Sequence, residues 1–343
     1  VNGGQDPFFT IVNLTASSSS FNALPHITSF LPSVSYPTAV NFGASVNGVG
    51  DINHDGVEDY GFGMPYSLYS GVHLFGRSVY VFWGQESPSL PLPSISMLPN
   101  ASLGLVISSQ MTVPRFGVCF SFFLLSFCFF SPPSIHFKPN QNTQSVVRGG
   151  CDINNDQVDD LFIGCGSGSV YTASVYVIFG QKRGWTASLS ISSLTNTIGF
   201  RISLSSSSIR PQWSTMFGTT GAFCAGDFNK DGIADLVVTD PMFGGKGMAA
   251  LLYGRKLWNS TTSFDMNKFL ASPTKDGCLF TTSLASAYLG SSVGTVDLDL
   301  DGNFDLIIGA QNAFDGLGQV HVVWGDKPLG VDLHNLSLPA SSD

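Results

Sequence analysis

Charge is what this chain has least of. Only 11% of its 343 residues are charged, against about a quarter in an ordinary soluble domain. Its 15 Lys and Arg form no cluster and the net charge is −9, which excludes a nucleic-acid partner, whose phosphates demand grouped cations. No stretch keeps a helical apolar period, so a helical bundle is excluded as well. G-x-G-x-x-G and P-loop patterns are missing, and the six His are scattered without metal or triad spacing. The chain opens on Val1 rather than Met. It therefore reads as a fragment or processed piece, and a visible signal peptide is not expected. Long oily runs are almost absent. The single exception, FGVCFSFFLLSFCFF at 116–130, has Pro132 and Pro133 just beyond and falls short of the ~20 residues of a membrane span.

What is abundant is Gly (38), Pro (18) and short apolar segments, the pattern of an all-β protein. Four segments repeat: GDINHDGVEDYGFG from Gly50, CDINNDQVDDLFIG from Cys151, GDFNKDGIADLVVT from Gly226 and VDLDLDGNFDLIIG from Val296. Before them stand NFGASV, RFG, MFGTTG and YLGSSV; after them come SVYVFWGQ, SVYVIFGQ, MAALLYGR and QVHVVWGD. Each unit is thus a short strand, a turn and a longer strand of an antiparallel meander. Such units bury their faces only against neighbours, as in a β-propeller, with an open β-solenoid as the alternative.

Each acidic segment has the form D-x-[DN]-x-D-[GQ]-x-x-D. Positions 1, 3, 5 and 9 offer side-chain oxygens and position 7 a backbone carbonyl. The expected ligands are Asp51, Asn53, Asp55, Val57 and Asp59; Asp152, Asn154, Asp156, Val158 and Asp160; Asp227, Asn229, Asp231, Ile233 and Asp235; Asp297, Asp299, Asp301, Asn303 and Asp305. All-oxygen sets suit Ca²⁺, whereas Zn²⁺ would require His and Cys and Mg²⁺ prefers to keep its waters. Up to four Ca²⁺ are expected. Solvated acidic turns are the bland reading, but 15 of the 24 acidic residues lie within these loops, and such crowding is unfavourable without a cation. An EF-hand would close with Glu at position 12; here that position holds Phe62, Ile163, Val238 and Ile308. Two departures stand out. Gln157 replaces the Gly of position 6, where the turn calls for positive φ, and Asn303 replaces an apolar residue at position 7. The second site is expected to be the weakest.

These elements resemble the FG-GAP repeats of the integrin α-chain β-propeller. FG occurs at Phe42-Gly43, Phe116-Gly117 and Phe217-Gly218, with Leu289-Gly290 as a variant. GAP-like corners follow at 63–65, 164–166, 239–241 and 309–311. The resemblance covers about residues 42–327 and implies a propeller, expected as an incomplete ring, with calcium loops in four blades. It places ligand recognition on the face opposite those loops. The expected function is a calcium-stabilised extracellular binding module, in cell adhesion or ligand recognition. Its partners would be a protein or glycan ligand and a second membrane-protein subunit. The alternative is an accessory propeller of a secreted hydrolase resembling glycosylphosphatidylinositol-specific phospholipase D. No enzyme activity is expected within the chain: GSSVG at 290–294 mimics a nucleophile elbow but occupies the FG segment of a repeat, and the elbow needs a strand-turn-helix context. The D-x-S-x-S signature of an inserted adhesion domain is absent.

The resulting organisation is a preceding-blade tail at 1–41, then repeats at 42–115, 116–216, 217–288 and a truncated one at 289–343. The first Asp of successive loops is separated by 101, 75 and 70 residues. Removing 118–144 joins RFG to SVVRGGCDINNDQ and restores the seven residues between FG and Asp seen in the first unit. That segment reads as a retained intron translated in frame, with a natural loop insertion as the alternative. Sequons occur at Asn13, Asn100, Asn259 and Asn335, no more than the Ser and Thr content gives by chance. Cys151, Cys165, Cys224 and Cys278 name no pairing, and disulfides or buried thiols fit equally. Calcium loops of this type suit the extracellular milieu, so the expected location is extracellular or at the cell surface.

Overall fold

The computed structural model describes residues 43, 45–64, 78–85, 100–108, 119–120, 143–144, 146–165, 174–204, 217–218, 220–258, 263–271, 276–325 and 333–335. The expected tail at 1–41 lies outside them. The first sheet is a meander of β1 (Ser45–Gly50), β2 (Asp59–Met64), β3 (Ser78–Phe82) and β4 (Gly104–Ser108), each antiparallel to the next. Two short strands follow, β5 (Cys119–Phe120) and β6 (Thr143–Gln144), paired with each other. The second meander contains β7 (Val146–Cys151), β8 (Asp160–Cys165), β9 (Ser174–Ile178) and, after β10 (Ser188–Ser190), β11 (Gly199–Ser203). The third contains β12 (Ala222–Gly226), β13 (Asp235–Asp240) and β14 (Met248–Leu252). It is completed, after β15 (Ser263–Asp265) and helix α1 (Met266–Ala271), by β16 (Gly277–Thr281). Among the described residues the fourth has three strands, β17 (Leu289–Val296), β18 (Asp305–Ala310) and β19 (Gln319–Val323), and β20 (Leu333–Asn335) follows.

The short strands β10, β15 and β20 do not join their own repeat. Each runs parallel to the fourth strand of the preceding sheet: β10 on β4, β15 on β11 and β20 on β16. Every sheet that has a fourth strand is therefore capped by a piece of the next repeat, which covers an edge that would otherwise present open hydrogen-bonding groups.

Side chains explain why the sheets stack. The third strands SVYVF, SVYVI and MAALL are apolar at nearly every position, and β3, β9 and β14 are buried throughout. Alternate residues point to opposite faces. Val79, Val81 and Trp83 of the first blade pack against Val147, Leu161, Ile163 and Ile178 of the second. Val175, Val177 and Phe179 pack against Leu236, Val238, Ala250 and Leu252 of the third. Ala249 and Leu251 pack against Leu289, Leu306 and Ile308 of the fourth. The corresponding positions in β19 are uncovered: Val320 is 66% exposed and Val322 39%. The FG corner serves the same stacking. Phe217 is fully buried, and a Cβ on Gly218 would meet the carbonyl oxygen of Ser174 in the preceding blade at 2.7 Å.

The segment 118–144 has paired ends, Cys119 opposite Gln144 and Phe120 opposite Thr143, and its middle lies outside the described residues. The strand after it keeps the register of the repeat: β7 spans the six residues before Asp152, as β1 spans the six before Asp51.

Cys151, at the end of β7, forms a disulfide with Cys224 of β12, with Cα atoms 5.8 Å apart and a separation of 73 in sequence. Sequence spacing named no pairing; adjacent first strands of two blades supply it. Closing a loop of that length restricts the unfolded chain by about 4 kcal/mol on the chain-entropy account. The double variant C151S/C224S is expected to lose roughly 2–5 kcal/mol of stability, measured by denaturant unfolding. The wild type in strong reductant should match it.

Candidate metal-binding loops

Between the first and second strand of every blade the chain makes the same tight turn. The carboxylate at position 1 starts it. Asp51 accepts the N–H of Asp55 at 2.9 Å and of Gly56 at 2.8 Å. Asp152 does so for Asp156 (3.1 Å) and Gln157 (2.6 Å), Asp227 for Asp231 (3.0 Å) and Gly232 (2.7 Å), and Asp297 for Asp301 (3.1 Å) and Gly302 (3.0 Å). Position 3 contributes a second acceptor to the position-5 N–H, from Asn53, Asn154, Asn229 and Asp299. Position 5 in turn accepts from position 7, at 2.9 Å for Val57, Val158 and Ile233 and 2.8 Å for Asn303. The expected ligands of positions 1, 3 and 5 thus share one network at the loop tip, with Asp55, Asp156, Asp231 and Asp301 exposed.

Position 9 behaves differently. Asp59, Asp160, Asp235 and Asp305 are all buried, none more than 1% exposed. One carboxylate oxygen accepts the N–H of position 2: Ile52 (3.0 Å), Ile153 (2.9 Å), Phe228 (2.8 Å) and Leu298 (2.8 Å). The other accepts the N–H of the Gly that ends the third strand: Gly84 (2.8 Å), Gly180 (3.0 Å), Gly254 (2.8 Å) and Gly325 (3.0 Å). Those glycines have no substitute. A Cβ would lie 2.1–2.2 Å from the position-8 carbonyl oxygen, that of Glu58, Asp159, Ala234 or Phe304. Sequence reading assigned position 9 to the metal alone and did not give the strand-ending Gly a role, although the recurring WG, FG, YG and WG were its signal.

Burial has an electrostatic consequence. Loss of hydration pushes the Asp59 and Asp235 carboxyls up to about 7 in the metal-free protein, and the Asp160 carboxyl well above its ordinary range. Backbone donors oppose the shift without cancelling it, and the neighbouring loop carboxylates add to it. A carboxylate in such a place is held ionised by a nearby cation.

The donor set fits a hard divalent ion. Every side-chain donor is an amide or carboxylate oxygen, and carboxylate oxygens of Asp297, Asp299 and Asp305 lie within 4.8 Å of one another. Position 12, decisive against an EF-hand, lies in β2, β8, β13 and β18. Gln157 adopts φ +68° where Gly56, Gly232 and Gly302 stand at +86° to +93°, so the second loop makes the same turn under local strain.

The loops also touch one another. They are bonded from blade to blade through position 2. The Ile52 carbonyl accepts the N–H of Gln181 and the indole N–H of Trp185; the Ile153 carbonyl accepts the N–H of Arg255 and the indole N–H of Trp258. Asp159 reaches back to accept the Asp51 N–H at 3.0 Å.

A model of the FG-GAP repeat matches residues 219–252 and 289–323. The chain carries FG-GAP repeats. The two matches span β12–β14 and β17–β19 together with the third and fourth loops. The first and second loops lie outside them but reproduce the same hydrogen bonds. With FG-GAP repeats and stacked meanders, the fold is an all-β, β-propeller type. No curated protein matches the chain. Among the described residues no helix is long and apolar enough to cross a membrane.

Two outcomes are expected. Q157G should stabilise the protein by ~0.5–1 kcal/mol by relieving the left-handed strain of a residue bearing a Cβ; denaturant midpoints of both proteins measure it. The second concerns pH. Asp59 and Asp235 have folded values raised above 3.8, so the metal-free fold holds protons that the unfolded chain releases. That stability is present in acid and lost as pH rises through about 7. Melting of metal-free protein should therefore fall between pH 5.5 and 8, and less steeply in the isosteric D59N/D235N variant.

Proposed function

We propose that the chain is a calcium-stabilised extracellular binding module of integrin-α-like type and not itself an enzyme. The observation that carries this reading is the identity of the four loops: each converges three oxygen-bearing side chains at an exposed tip above a buried carboxylate. Asp51, Asn53, Asp55 and Asp59 would hold the first ion with the Val57 carbonyl, and the matching residues of the other loops would hold the rest. The ion would supply charge neutralisation, and four divalent ions would nearly cancel the net charge of −9. The chain's own residues supply the rigid frame, because the position-9 carboxylates already bind the loop to the end of the third strand.

The Cys151–Cys224 disulfide supports an extracellular location, since such bonds persist in oxidising compartments. Ser292 lies in β17 opposite Gly309, and extended strand continues through Gly294 and beyond it. That context fits a repeat corner and lacks the turn into a helix that a nucleophile elbow requires. The partner in this reading is a protein or glycan ligand on the face away from the loops, with a second membrane-protein subunit beside it.

Chelation should lower the melting temperature and added calcium should restore it, by the linkage of an ion that binds only the folded state. Scanning calorimetry with EDTA and with excess Ca²⁺ measures this. D231A should lower the calcium stoichiometry by one in a titration. A melting curve that is the same in EDTA and in excess Ca²⁺ rules the calcium reading out.

A further inference from the structure

We infer that Asn100 is an N-glycan acceptor, and that its glycan stands at the calcium-loop end of the first blade. The inference rests on the extracellular reading above. Asn100, Ala101 and Ser102 form a sequon at the turn leading into β4, and all three are exposed. Asn100 Oδ1 accepts two hydrogen bonds from the same residue, from the Ser102 N–H at 3.0 Å and from the Ser102 hydroxyl at 2.8 Å. Asn100 Nδ2 donates to no other described residue. The turn is fixed independently of the side chain. The Asn100 carbonyl accepts the N–H of Leu103 (2.9 Å) and Gly104 (3.0 Å), and the Trp83 indole donates to the Ala101 carbonyl at 2.8 Å.

This geometry favours substitution at nitrogen. An amide nitrogen is a poor nucleophile because its lone pair is delocalised into the carbonyl. A hydroxyl and an N–H donated to Oδ1 draw charge onto oxygen, which acidifies the Nδ2 protons. These remain open to a base, whose removal of one frees the nitrogen to attack. The co-reactant is an oligosaccharide linked to a lipid diphosphate. Nδ2 forms a bond to the anomeric carbon, the bond from that carbon to the diphosphate oxygen breaks, and Nδ2 gives up one proton. The lipid diphosphate leaves with the electron pair.

Position gives the modification a consequence. Trp83 immediately precedes Gly84, whose N–H binds Asp59, so the Asn100 turn and the first acidic loop share one end of the blade. A glycan there leaves the opposite end uncovered, where the proposed ligand would bind. Of the other sequons, Asn13 and Asn259 lie outside the described residues, and Asn335 lies in β20, paired with Thr281.

The test is translation of the whole chain behind a cleavable secretion signal in the presence of endoplasmic-reticulum microsomes. Asn13, Asn259 and Asn335 are changed to Gln, and only protease-protected chains are scored. Expected is an endoglycosidase-sensitive mobility shift that is retained in S102T and lost in N100Q and in S102A. Protected chains without the shift overturn the proposal, as does a shift that survives S102A. Because the signal forces translocation, these outcomes do not depend on where the natural protein resides. A native protein recovered reduced from the cytosol would refute the extracellular reading instead.

Discussion

The carboxylate at position 9 is the constraint on which each blade depends. It lies at the start of the second strand, buried, and its two oxygens bind two backbone N–H groups that are far apart in sequence. One belongs to the loop just before it; the other ends the third strand some 20 residues later. Loop, second strand and third strand are thereby fixed to a single side chain. Its burial is unfavourable for a charged group and tolerable only with donors or a cation nearby. Hydrogen bonds supply the first in all four blades, and the acidic tip provides the oxygens for the second. The structural and proposed metal-binding roles are therefore carried by the same atoms, which is why the residue is Asp in every repeat. Asn would keep the size but not the charge, and Glu would be a methylene too long for so enclosed a site.

Blade-to-blade cohesion has two parts with different physical origins. Most of the free energy comes from apolar faces: the fully buried Val, Leu, Ile and Phe of three clusters, each worth about 1.5–3 kcal/mol relative to exposure. Those contacts are non-directional and would tolerate sliding. Register is set instead by directional bonds at the edges: the parallel strands β10, β15 and β20, the carbonyls of Ile52 and Ile153, and the Cys151–Cys224 link. The last two lie at the loop end of the stack. The same end that would hold the ions is thus the one most strongly fixed from blade to blade. An ion bound in one loop would order a segment that the next blade already grips.

Much of this was legible in the sequence because the repeats compare themselves. Aligning GDINHDGVED with its three copies located the loops, and alternating apolar residues in SVYVFWG marked the buried third strand. Displacing 118–144 restored the register that β7 keeps. What could not be read was everything that crosses between repeats. The three-residue strands β10, β15 and β20 are short and polar in composition, and nothing in SLS or SFD announces a parallel partner 82 or 62 residues away. The pairing of Cys151 with Cys224 depends on two first strands being neighbours, which spacing alone does not imply. The bond from Asp159 to Asp51 was hidden for the same reason, since position 8 varies among Glu, Asp, Ala and Phe.

The fourth blade separates what a repeat needs locally from what it takes from its neighbour. Its loop keeps the backbone-donated bonds of the others, down to Asp305 accepting from Leu298 and Gly325, while the amide bond that position 3 gives Asp55, Asp156 and Asp231 comes to Asp301 from Asn303 instead. Yet Leu298 is 46% exposed where Ile52 and Ile153 are fully buried, and β19 leaves open the face that β3, β9 and β14 cover. The internal bonds of the acidic loop therefore involve only its own nine residues and one glycine. Burial of position 2 and the stacking of the third strand are properties of the assembly. In a propeller built this way the loop bonds lie within each blade, and the large apolar contribution lies between blades.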